Sequence, residues 1–298
     1  MRLSIVEAHL LCLVLVLLDI VARGYRLRWY LHGFKRELSL EDALNATTWG
    51  DAAAGLTPLR FGGEAAKLAG LLRGRIPASL SVMTLALEAI ITYPLVALVG
   101  VWLAWRFAPD WWNQVGPMLG DALAAAWPWI LGIIVATVVA IYLGLRWRRA
   151  LSAPSFGASP DAPPAPPVPS LRTLLAATPV APLALGAGVS LYNVLARTAV
   201  LPILALTLPD HPPLGILLIG SFALLYSQLV LPTPAGVGAV DLGFLAGVAG
   251  NLGPEAPGLL LAWRVYTVGI GAGLGLLLAL RAVGWPTLKR VVFGRLSR

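Results

Sequence analysis

The sequence predicts an all-α polytopic membrane protein, a bundle of about six to eight transmembrane and re-entrant helices with signs of an inverted repeat. Three observations lead there. Of 298 residues, 58% are hydrophobic and only 12% are charged, where soluble domains carry roughly a quarter. A chain this poor in charge cannot cover a water-facing surface, and its mean hydropathy is +0.80. Several apolar runs exceed the ~18 residues that cross a hydrocarbon core near 30 Å. They are too long and too evenly apolar for the alternating strands of a barrel, so the backbone must satisfy itself as helices.

The net charge of +8 would suggest nucleic acid in a soluble protein. Here the basic residues lie in short stretches beside apolar runs, the pattern that orients membrane helices, and no nucleic-acid role is expected. The single cysteine, Cys12, lies in the first apolar run and reads as a small packed side chain. Nothing in the sequence calls for a metal or a cofactor.

The first helix is expected over about residues 4–22. No small-residue cleavage site follows it, and the basic stretch at Arg23 and Arg26 reads as a stop that retains the segment. From Arg23 to Glu41, Arg28, Lys35 and Arg36 alternate with Tyr25, Trp29 and Tyr30, an interfacial composition that places this stretch in the cytoplasm. Residues 43–75 hold a polar segment with basic residues on both flanks, which predicts a hairpin dipping in from the cytoplasm and returning.

Residues 78–105 predict a spanning helix, the Trp-rich stretch 106–114 an outer loop, and 118–145 a return span. Seven prolines between Pro154 and Pro169 forbid a helix and predict an extended cytoplasmic linker over 151–170. The chain then reads as one membrane domain, 1–298, with a first helical half over 1–150 and a second over 171–298. In the second half, 173–207 is apolar but broken by prolines, 209–213 is a short outer turn, 214–231 is apolar, and a last helix covers 258–284. The basic tail, with Lys289, Arg290, Arg295 and Arg298, puts the C-terminus in the cytoplasm.

Ionisable groups inside apolar segments cost about 2.5–3.5 kcal/mol each and are functional candidates by default. They are Asp19, Glu64, Glu88, Arg197, Asp241 and Arg264. Asp19 and Arg197 lie close enough to segment ends to be interfacial, whereas Glu88, Asp241 and Arg264 are well inside. A structural Asp241–Arg264 ion pair would account for both without a transport role. Two interruptions look alike: Thr57-Pro58 followed by Gly62, Gly63 and Glu64, and Thr233-Pro234 followed by Gly236, Gly238 and Asp241. Proline removes a donor and glycine permits a tight turn, so each opens backbone groups at membrane depth. That is tolerated where the backbone lines a wet cavity, and one break per half points to a transporter-type site.

The second break, Pro232-Thr233-Pro234-Ala235-Gly236-Val237-Gly238-Ala239-Val240-Asp241, resembles the Pro-x-Pro-Gly-Gly-x-Gly-x-x-Glu motif of the lysylphosphatidylglycerol synthase transmembrane, or flippase-like domain, family. Arg28-Trp29 looks like that family's early Arg-Trp, Pro58 through Glu64 like its Pro-x-x-x-Gly-Gly-Glu, and Trp263 through Thr267 like its late arginine-containing helix. Ala235 stands where the pattern has glycine, and Asp241 where it has glutamate. The resemblance implies movement of lipids, or of lipid-linked groups, between leaflets of a bacterial inner membrane. No stretch here is both polar and long enough to be the soluble transferase domain of the family's fused enzymes.

The expected function is translocation, or assistance in translocation, of an anionic or zwitterionic phospholipid or lipid-linked headgroup. A membrane-embedded lipid-modifying transferase and an accessory subunit without transport remain as alternatives. The expected substrate-binding residues are Arg60, Glu64, Glu88, Asp241 and Arg264. Arg60, Glu64, Asp241 and Arg264 are expected to converge on one polar cavity, with the arginines on phosphate and the carboxylates balancing charge or meeting an amine.

Overall fold

The computed structural model describes residues 2–57, 60–107, 180–229 and 233–284. Most of the outer loop expected over 106–114, the span over 118–145, the linker over 151–170 and the basic C-terminal tail lie outside the described residues. So do Pro58 and Pro232. The described residues belong to one compact unit drawn from both ends of the chain.

Among the described residues the elements are α1 (Ile5–Gly33), α2 (Leu40–Leu56), α3 (Phe61–Arg73), α4 (Ala78–Phe107), α5 (Val180–Ala205), α6 (Leu214–Ser227), α7 (Ala239–Gly243), α8 (Ala256–Arg264) and α9 (Ile270–Val283). A π-turn, Phe244–Val248, extends α7, and another, Val265–Gly269, joins α8 to α9. Four stretches are long and apolar enough to cross a membrane: Ile5–Gly33, Ala78–Phe107, Val180–Ala205 and Gly253–Ala282. Their outward faces carry large apolar side chains such as Leu10, Leu18, Leu98, Val101 and Leu261. Meanwhile Asp19, Arg23, Arg26 and Glu88 are buried. Apolar groups outside and charges inside is the distribution that a hydrocarbon solvent selects. The chain is an all-α polytopic membrane protein.

Helix α1 starts at a capping box. Ser4 Oγ accepts from the Glu7 N–H at 3.2 Å while Glu7 Oε2 accepts from the Ser4 N–H at 2.8 Å. The helix does not stop at the basic stretch. It runs on to Gly33, so Arg23 and Arg26 are helical and buried rather than interfacial. The reason is pairing: both guanidiniums find carboxylates on other helices, which removes the cost that would have ended the span. The buried stripe recurs every three or four residues as Ala8, Cys12, Val16, Asp19, Arg23 and Arg26. Along it α1 packs on α5.

The segment expected as a hairpin holds two helices packed side by side. Helices α2 and α3 lie antiparallel, with Gly70 against Ala46 and Gly63 against Gly50 and Ala54. A Cβ at Gly70 would sit 2.5 Å from the Ala46 Cα, so small residues set the spacing. On its other side α2 meets α9, where Gly275 abuts the Thr48 backbone and Gly271 abuts Asp51. The first-half hairpin is thus clasped by the last helix of the second half. Apolar cores fill the remaining space. One lies between α1, α5, α6 and α8 around Val16, Leu201, Phe244 and Trp263, and another under the hairpin around Leu27, Leu71 and Ile76.

Candidate functional site

Arg60 ends the first break. It takes a left-handed backbone conformation, φ 58°, at the start of α3. Thr57 Oγ1 holds the turn by accepting from the Gly62 N–H at 2.9 Å. The second break repeats the device, with Ala235 at φ 49° and Gly236 at φ 68°. Between the hairpin, α1, α4, α5 and α6 lies a cavity of about 170 Å³.

Two ion networks form its polar wall. In the first, Arg23 grips Asp51 through both terminal nitrogens, Nη1 to Oδ1 at 2.9 Å and Nη2 to Oδ2 at 2.7 Å. Behind this pair Asp19, fully buried, accepts from Asn193 at 2.6 Å and from Arg197 Nε at 3.2 Å. Arg197 also donates to the Thr267 carbonyl at 3.3 Å. Thr267 belongs to the π-turn Val265–Gly269, where the widened winding offers that oxygen. The network therefore ties α1, α2, α5 and the last span together. Asp19 and Arg197, expected at the interface, are instead interior and paired with each other.

In the second network Glu88 Oε1 accepts from Arg26 Nη2 and, at 2.9 Å, from Lys67 Nζ. Arg26 also donates to Ser190 Oγ at 2.7 Å. Lys67 meets Glu64 at 3.2 Å, but the Glu64 side chain is 61% exposed, so this contact is weak. Arg26, Glu88 and Lys67 keep at most 13% of their side-chain surface exposed.

Arg60 differs from these cations. Among the described residues it meets no carboxylate, and its Nη1 donates to the neutral Gln228 Oε1 at 3.1 Å. Among the described residues the cavity wall carries five cations, Arg23, Arg26, Arg60, Lys67 and Arg197. Asp51 and Glu88 on the wall and Asp19 behind it supply three negative charges, so positive charge is left over even with Glu64 counted. Apolar and aromatic side chains share the lining with the cations: Val96, Leu225 and Leu229, with Tyr93 and Tyr226.

Asp241 and Arg264 do not line this cavity. They form their own unit: Arg264 Nε and Nη2 both donate to Asp241 Oδ1, at 2.8 and 2.6 Å. Arg264 Nη1 donates to the Ala235 carbonyl at 2.6 Å, and Asp241 Oδ2 accepts from the Gly238 N–H at 3.0 Å. This is a clamp that fastens the second break to α8. Of the five sequence-derived candidates, the structure thus places Arg60 and Glu88 on one cavity, Glu64 beside it through Lys67, and Asp241 with Arg264 in a separate pair. Sequence reasoning passed over Asp51, Arg23, Arg26, Lys67 and Gln228. Asp19, Arg23 and Arg26 were detectable, because their spacing puts them on the α1 face that also carries Cys12 and Val16.

No curated protein and no solved structure matches the chain. The family model described as lysylphosphatidylglycerol synthase TM region matches residues 2–275, a stretch that holds both ion networks, the Asp241–Arg264 pair and both breaks. The chain belongs to that family.

Proposed function

We propose that the protein translocates, or helps to translocate, a phospholipid or lipid-linked substrate between leaflets, and that the cavity beside Arg60 receives its phosphate-bearing headgroup. One observation carries this reading. Among the described residues the cavity keeps positive charge beyond what its carboxylates neutralise, and its lining also carries the apolar side chains of Val96, Leu225 and Leu229. A lipid supplies both complements, an anionic phosphate and acyl methylenes. Arg60 makes the contact, since its planar fork suits phosphate oxygens and, among the described residues, a neutral amide is what holds it. Glu88 balances Arg26 and Lys67, with Glu64 at the rim. Asp241 and Arg264 keep the second break in shape while substrate passes.

The test is transbilayer movement of a labelled phosphatidylglycerol in proteoliposomes. Arg60→Gln should lower the rate at least tenfold with the thermal unfolding midpoint unchanged, about what losing one charge-assisted contact of 1.5–3 kcal/mol implies. Unchanged transport in that variant would remove Arg60 from the site.

The proposed setting is a bacterial inner membrane, with the hairpin entering from the cytoplasm and the C-terminus on that side, as the basic tail requires. A cysteine introduced by Ser297→Cys should react with an impermeant maleimide only after the cells are opened. Labelling of intact spheroplasts would reverse the orientation.

A further inference from the structure

Gln228 is the last residue of the α6 end, where it caps the helix, and its side chain is 1% exposed. Its Nε2 donates back to the Leu224 carbonyl at 3.5 Å. That leaves Oε1 facing Arg60, and since a guanidinium only donates, this is the orientation the pair needs. The seat is shaped for it. Gly236, in the second break, adopts φ 68°, and a Cβ there would lie 3.0 Å from Gln228 Cγ and 2.6 Å from Val240 Cγ2. A motif glycine thus makes room for the glutamine. Arg60 belongs to the first break and Gln228 to the end of α6, where it packs under Gly236 of the second break, so one hydrogen bond ties the first break to the helix end that seats the second.

From this geometry we infer that Gln228 is an internal competitor for the headgroup site: its amide oxygen occupies the Arg60 guanidinium in the empty protein and must be displaced before a phosphate oxygen can bind. The inference rests on the reading of the cavity as an anion site and assigns that site's threshold. Every incoming ligand must first break the same Arg60–Gln228 bond. The displacement therefore weakens all ligands by one common factor and leaves their ratios unchanged. A ligand that offers Arg60 only another neutral oxygen exchanges like for like and gains little. A phosphate, charged and able to meet two N–H groups at once, exceeds the amide and takes the site.

The experiment uses two substitutions that keep the side chain's size and change its chemistry in opposite directions. Gln228→Met removes the competing oxygen, and Gln228→Glu replaces it with a fixed carboxylate that neutralises Arg60. Binding of a fluorescent phosphatidylglycerol is measured in nanodiscs of neutral lipid, with inorganic phosphate as a parallel probe. We expect Gln228→Met to bind the lipid about tenfold tighter than the unsubstituted protein and Gln228→Glu at least tenfold more weakly, the scale of one hydrogen bond to a charged group. Inorganic phosphate should shift in the same directions at lower affinity, since it lacks the acyl contacts. If both variants bind the lipid more weakly, Gln228 is a packing element and the competition is overturned. If the unsubstituted protein, Arg60→Gln and both Gln228 variants all bind phosphatidylglycerol no better than a neutral diacylglycerol, it is the anion site itself that fails. Tight binding of inorganic phosphate with no gain from acyl chains would support competition at Arg60 and contradict a lipid ligand.

Discussion

Replacing Glu88 with alanine should destabilise the protein by about 3–5 kcal/mol, the cost of removing one partner from a buried ionic group. The substitution orphans two cations at once. Arg26 and Lys67 both reach Glu88 Oε1, and their side chains are 3% and 13% exposed. Among the described residues Arg26 would keep only the hydroxyls of Ser190 and Thr92, and Lys67 only the exposed Glu64. Neither replaces a buried carboxylate. A control separates lost charge balance from lost packing. Converting all three residues to methionine removes both the charges and the need for them, and should restore most of the unfolding midpoint while leaving transport impaired. Thermal unfolding in detergent reads both variants. If Glu88→Ala melts with the unsubstituted protein, the triad contributes nothing to the fold.

The second large effect belongs to the contact between α9 and the hairpin. At Gly275 any side chain would be driven into the Thr48 carbonyl, and Ala52 lies 3.0 Å from the same point. The obstruction is backbone, which cannot swing aside. Gly275→Leu should therefore push α9 off α2 and cost about 3 kcal/mol, the upper part of the overpacking range. It should also disturb the ion network, because Gly271 one turn earlier packs on Asp51, the carboxylate that Arg23 grips. Gly273 lies between these positions and would meet nothing within 4 Å. Gly273→Ala should stay within about 0.5 kcal/mol of the unsubstituted protein. Equal losses at 273 and 275 would mean that the close approach to Thr48 is not what Gly275 protects, since both substitutions favour the helix itself.

The sequence made the membrane class plain, because lipid-facing helices must be apolar over a fixed length. It made both breaks plain as well, since proline and glycine act locally. What it hid was pairing. Arg23 and Arg26 resemble a stop signal when read along the chain. They become interior only once Asp51, 28 residues away, and Glu88, 62 residues from Arg26, fold back onto α1. Asp19 was discounted by its nearness to those arginines, yet that nearness is what buries it, through the four-residue contact with Arg23 and the long-range contact with Arg197. The Asp241–Arg264 pair was legible because each charge stood alone in an apolar run and the two had opposite signs. Gln228 gave no sign, for an uncharged residue at a helix end is unremarkable until its partner, Arg60, is known.

The most direct test of the phosphate site at Arg60 is an experimental structure in nanodiscs containing phosphatidylglycerol. The account predicts phosphate density inside the cavity within hydrogen-bond reach of the Arg60 guanidinium, with Gln228 Oε1 turned away. It is contradicted if lipid phosphates are found only at the surface basic residues near the end of α1, such as Arg28 and Arg36, while Arg60 stays bound to Gln228 and the cavity holds no anion.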